Sequence, residues 1–138
     1  DSVASRGLGD VYKRQITIYA HSNCGRSRED KRMTNLVVHV DEPAKVATAI
    51  SNVQNFLAAR PTSTVVVVVN GPAITTLATG AWEPLQQTLP QVEIDACHNA
   101  MVSHQMTAAQ LPASVTVVPA GVVRIVDLQA VGYAYLRP

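Results

Sequence analysis

The chain has 138 residues, 47% apolar and 15% charged, with a formal net charge of +1. That length and apolar content suit one globular domain and leave no room for two ordinary ones. The longest β-branched run, Val65–Val69, falls far short of the roughly 20 apolar residues a membrane span requires, so no membrane association is expected.

Residues 1–32 hold seven of the eleven basic side chains and one of the two cysteines, without sustained periodicity or the apolar core of a secretory signal. Within them, Asp10-Val11-Tyr12-Lys13-Arg14-Gln15 resembles the in-frame translation of a transposon-end sequencing adaptor. Met33 is the first methionine, and Glu29-Asp30 can be encoded by a purine-rich stretch such as a ribosome-binding site. The expectation is therefore a disordered, non-native leader over 1–32 and a single domain over 33–138. A genuine basic tail is the alternative.

From Met33 onward, four basic side chains stand against six acidic ones, a net charge of −2. So few Lys and Arg, with no basic stripe, exclude a nucleic-acid footprint. One cysteine remains in this stretch, which rules out an internal disulfide there and lends no support to an oxidising compartment.

In chain order, residues 35–40 read as an apolar strand, ended by Asp41-Glu42-Pro43, an acidic cap and a first-turn proline that start a helix. Val46, Ile50, Val53 and Leu57 then form one helical stripe, and Pro61 stops it. Residues 63–69 are apolar without alternation, as in a strand covered on both faces, and Asn70-Gly71-Pro72 ends the run. A weak helix over 73–79 and another over 83–89 follow. Residues 92–96 alternate as a strand, with Val92, Ile94 and Ala96 inward and Glu93 and Asp95 outward, in solvated or edge positions.

Cys97 sits at the turn into a helix over 99–106. Thr107 to Gln110 fits a capping box, residues 115–118 are a fourth strand, and Pro119-Ala120-Gly121 leads into a helix over 122–130. Gly132 is a left-handed stop, and residues 133–136 close the chain as a fifth strand. Alternating apolar strands and helices predict an α/β fold, a mostly parallel five-stranded sheet between helical layers.

Ligands of such sheets gather where strands end and helices begin. The turns on that edge hold Asn70, Gly71, Cys97, Asn99 and Gly121, so Asn70, Gly71, Asn99 and Gly121 are candidate ligand-binding positions. Turn geometry alone also selects Asn and Gly. A thiol at a helix start is favoured as thiolate, with His98 adjacent and His104 on the same helical face to tune its charge. Cys97, His98 and His104 are the candidate catalytic set, and Cys97 as a buried packing residue is the alternative. No zinc pattern links Cys97 with His39, His98 or His104. No C-x-x-C, G-x-G-x-x-G or P-loop is present. No metal or other cofactor is expected.

Five segments together resemble the DsrE/DsrF-like proteins of intracellular sulfur oxidation and sulfur relay. They are N-L-V-V-H-V-D-E-P from Asn35, V-V-V-V-V-N-G from Val65, A-C-H-N-A-M from Ala96, V-V-P-A-G-V-V from Val117 and L-Q-A-V-G-Y-A-Y-L-R-P from Leu128. The resemblance spans 33–138. It implies a three-layer, flavodoxin-like or DsrE/F-like fold, a cytoplasmic setting, and homo-oligomers or hetero-oligomers of related subunits. It also implies sulfur donor and acceptor proteins as partners, and a persulfide on the cysteine that corresponds to Cys97. Where relay members often carry Arg-Gly or Gly about two turns later, this chain has Ser103-His104-Gln105. An oligomeric binding or assembly module, with a strand-end cleft and a structural Cys97, is the rival reading.

Overall fold

A computed structural model describes residues 34–138, which lie in the compact unit Met33–Pro138. The leader expected over 1–32 falls outside the described residues. Five strands form one parallel sheet in the order β4-β3-β2-β1-β5: β1 Leu36–Val40, β2 Val65–Val69, β3 Glu93–Cys97, β4 Thr116–Val118 and β5 Ala134–Leu136. The helices are α1 Val46–Ala59, α2 Glu83–Thr88, α3 His98–Ser103 and α4 Gly121–Ala130, with a 3₁₀ segment over Gly71–Ala78. The expected α/β fold is therefore present, with a strand order that differs from the flavodoxin order 2-1-3-4-5.

The layers follow from the direction of the crossovers. From β1 through β4 each connection steps one strand in the same direction, so right-handed crossovers place α1, α2 and α3 on one face. The return from β4 to β5 runs the other way across the sheet, and α4 falls on the opposite face. Val38, Val40, Val67 and Val69 pack with Ala49, Val53, Leu57 and Ile74 in the larger cluster. Val37, Val66 and Val68 pack with Ile125 and Leu128 of α4 in the smaller one. All five residues of β2 are buried, which is why that strand shows no alternation.

Two helix ends illustrate different signals. At the end of α4, Gly132 takes φ +103° while Tyr133 N–H donates to Leu128 O and Gly132 N–H to Gln129 O, a Schellman stop with its usual glycine. Helix α3 ends three residues earlier than the pattern predicts. Met106 N–H donates to Met101 O, Gln105 N–H donates to Val102 O, and Gln105 occupies the left-handed position at φ 57°. The same hydrogen bonds terminate both helices, but in α3 no glycine marks the stop.

Candidate functional site

Three strand-ending turns meet at the carboxyl edge. After β2, Asn70 N–H still donates to Val40 O at 3.0 Å. The chain then turns at Gly71, where φ is +53° and a Cβ would lie 3.3 Å from Asp41 O. Only glycine relieves both constraints. After β3, Cys97 is the N-cap of α3, with extended backbone (φ −74°, ψ 117°) and no side-chain cap bond. After β4, the buried Gly121 opens α4. A Cβ on Gly121 would stand 3.2 Å from Asn70 Cβ, 3.2 Å from Val68 Cγ1 and 3.3 Å from Cys97 Cβ. Gly121 is small because Asn70 and Cys97 converge beneath it.

Above this junction lies a cavity of about 310 Å³ whose lining includes Asn70, Gly71, Cys97, Asn99, His104 and Gly121. These expected site residues, distant in sequence, share one wall. Cys97 is a free thiol, 6% exposed, so its environment is both the core and this opening. His104 Nδ1 lies 3.1 Å from Ala100 O, a pure acceptor, so Nδ1 carries the hydrogen and Nε2 is left as an acceptor. His98, by contrast, is exposed at the first position of α3 and does not line the cavity; adjacency in sequence puts neighbouring helical side chains on different faces. A larger cavity, about 480 Å³, lies by Gln54, Leu57, Thr88 and Gln91 and contains no thiol, imidazole or charged group. Only the smaller of the two is lined by a thiol and an imidazole.

No family model and no curated relative matches the sequence. Among solved structures, the chain is similar to the protein of unknown function MTH1491 from Methanobacterium thermoautotrophicum. The two share 30% identity over 76% of this chain and 99% of that one, with a TM-score of 0.68. The chain belongs to the same family as MTH1491. That membership carries the fold; the chemistry of this MTH1491-family protein has to be read from its side chains.

Two polar sets lie on the α4 face of the sheet, and the first reaches the cavity through Asn70. In the first, His39 Nε2 lies 2.9 Å from Asn70 Oδ1 and His39 Nδ1 lies 2.7 Å from Tyr135 OH. The register pairs Val37 with Tyr135 and His39 with Val68, so alternation puts Tyr135 and His39 on the α4 face. Burial raises Tyr135 above the usual phenol value, opposed by Arg137 and aided by Asp41. The sequence offered no sign of this set, because its three members come from three separate segments.

The second set corrects an expectation. Asp95 is not solvated but fully buried. Arg124 of α4 donates from Nε to Asp95 Oδ2 at 2.8 Å and from Nη2 to Glu93 Oε2 at 3.1 Å. Alternation did identify the face on which Glu93 and Asp95 lie, but that face is roofed by α4. Burial, and then the Glu93 carboxylate, push Asp95 up to about 7 against the pull of Arg124. Glu93 is lowered, first by its hydrogen bond with Asp95 and also by Arg124, while burial opposes the shift. Asp95 Oδ1 makes no hydrogen bond among the described residues, so the burial that raises this carboxyl acts on a group only half satisfied. Among the described residues, no three metal-ligating side chains cluster as a metal site requires.

Proposed function

We propose that the protein is a persulfide carrier of the DsrE/DsrF-like kind, with Cys97 as the sulfur-bearing residue. The observation that supports this most is the meeting of Asn70, Gly71, Asn99, His104 and Gly121 around a single free thiol at a cavity. In the forward step the Cys97 thiolate attacks the terminal sulfur of a donor persulfide, R–S–SH. The donor S–S bond breaks, R–S⁻ leaves, and Cys97–S–SH remains. An acceptor thiolate then attacks that terminal sulfur, forming its own persulfide and returning Cys97 as thiolate. The exchange has no net redox change and follows the same nucleophilic course as thiol–disulfide exchange. The terminal S–H passes to the acceptor with its proton, so the exchange needs no separate base, and His104 contributes to the lining of the same cavity. His98 lies outside the cavity and has no part in this scheme.

The reading extends to a cytoplasmic protein that works as a homo-oligomer or with related subunits, and that receives and passes sulfur by docking with donor and acceptor proteins. Among the described residues, no helix is long and apolar enough to cross a membrane. A second reading, an assembly module with a structural Cys97, is favoured by the low exposure of the thiol together with exposed valines at 122, 123 and 126 of α4.

Incubation with a persulfide donor, followed by intact mass measurement of protein carrying Cys24→Ser, separates the two. The carrier gains the mass of one sulfur atom, and Cys97→Ser in that background gains none. If neither protein gains mass while both keep the same assembly, the module reading replaces the carrier.

A further inference from the structure

Of the set Tyr135–His39–Asn70, Tyr135 and His39 lie outside the expected site, while Asn70 belongs to it and stands in the wall of the Cys97 cavity. Its hydrogen-bonding roles are fixed by elimination. Asn70 Oδ1 can only accept, so His39 Nε2 must donate to it, and in the neutral ring Nδ1 is then an acceptor. Tyr135 OH fills that acceptor with its hydrogen. Each bond selects the next, and together they hold the Asn70 amide in one orientation. With Oδ1 committed to His39, Asn70 retains two N–H donors that make no hydrogen bond among the described residues. Asn70 lines the cavity, and its Cβ and the Cys97 Cβ both lie within 3.3 Å of the point where a Gly121 Cβ would stand.

We infer that Tyr135 and His39 are positioning residues that aim the Asn70 amide into the cavity, where Asn70 donates a hydrogen bond to the sulfur anion. That anion is the Cys97 thiolate, before the donor's sulfur arrives and again once the acceptor has taken it. The inference rests on the carrier reading for its ligand, but its geometry stands apart from it. A carboxamide is neutral, so it favours an anion by donating hydrogen bonds without adding a fixed charge, and it leaves a departing anion free to go. A phenol is protonated at neutral pH without help from its surroundings, which preserves the first donor of the series.

The test measures iodoacetamide alkylation of Cys97 across pH, in the full chain carrying Cys24→Ser so that one thiol reports. Asn70→Ala and His39→Phe are expected to slow alkylation at pH 7 about tenfold, the equivalent of one charge-assisted hydrogen bond, with the deficit closing as pH rises. His39→Gln keeps a donor and an acceptor on one planar group and is expected to restore the wild-type profile. Tyr135→Phe, at an exposed edge, gives a smaller slowing of the same form. Thermal melts identify any variant that fails to fold, in which case Asn70→Ala and Tyr135→Phe carry the test.

The inference is overturned if folded Asn70→Ala keeps the wild-type pH profile, or if His39→Gln and His39→Phe lose rate equally. Sulfur uptake is measured in parallel and keeps the two proposals distinct. Uptake by wild type with an unaltered Asn70→Ala profile removes the role of Asn70 and leaves the carrier. A slowed Asn70→Ala profile with no uptake by wild type leaves the positioning role and removes the carrier.

Discussion

Asp95 shows how a residue's surroundings decide its charge. In the unfolded chain its carboxyl ionises near its ordinary 3.8, whereas burial and Glu93 raise it to about 7 in the fold. Between those values the folded state binds a proton that the unfolded state has released, so stability attributable to Asp95 is fully present below about 4 and is lost as pH rises toward 7. Glu93, lowered in the fold, contributes in the opposite sense: its stabilisation is present above its unfolded value and disappears as pH falls through the folded one. The two windows meet near the ordinary carboxylate range. Melting temperature is therefore expected to decline between about pH 5 and pH 7. Asp95→Asn keeps an acceptor for Arg124 and a donor for Glu93, and it should flatten that decline. Melting curves taken at several pH values check this, and equal slopes for the two proteins would rule it out. From sequence, strict alternation assigned Asp95 to solvent because that pattern identifies a face but not its covering. Trp82, almost wholly buried and donating from Nε1 to Thr76 Oγ1 at 2.9 Å, was equally invisible, since it lies in a turn without periodicity.

Helix α4 is the element that joins core to cavity. Its Ile125 and Leu128 cover the sheet, Arg124 neutralises the carboxylates beneath it, and Gly121 lets its first turn descend onto Asn70 and Cys97. Gly121→Ala would place a methyl against three atoms, two of them Cβ atoms fixed by the backbone. It is expected to cost about 1–3 kcal/mol of stability, as overpacking does, and to slow alkylation of Cys97 at every pH by lifting the helix. Urea unfolding with unchanged denaturant slope and a parallel alkylation series check both effects; a variant as stable as wild type would show that the junction is loose. The elements themselves were legible because their hydrophobic spacing is strong. The stripe Val46, Ile50, Val53 and Leu57 lies in α1 as predicted, and each of those side chains is buried. The early end of α3 was not legible, since Gln105 at φ 57° replaces the glycine that announces such a stop.

At the scale of the molecule, the parallel sheet and the shared edge of the candidate residues were both readable from alternating strands and helices. That reading brought Asn70, Gly71, Cys97 and Gly121 to one place. What it could not supply was the lateral order of the strands, and with it the approach of Tyr135 to His39 through the pairing of β5 with β1. The exterior carries a separate signal. Val122 and Val126 stand one helical turn apart on α4, each about 60% exposed, beside Val123 at 56%, an apolar stripe of a kind that marks association surfaces. If the protein assembles as proposed, Val126→Glu should shift sedimentation toward the monomer while leaving the melting temperature of the isolated subunit within about 0.5 kcal/mol equivalents of wild type. An assembly insensitive to that change would place the contact elsewhere.

Among the described residues, the second face of the sheet is roofed by a single helix, α4. Val37, Val66 and Val68 lie under α4, with Tyr133 packed at the edge of the same cluster. A ribosome that has released residues up to about 120 has made nearly everything the other face needs, while the central strands are still bare on this one. Until α4 emerges and swings across, the nascent domain offers a strip of valines to any chaperone or neighbouring chain. A stop codon ahead of Gly121, where α4 begins, would leave it in that condition permanently.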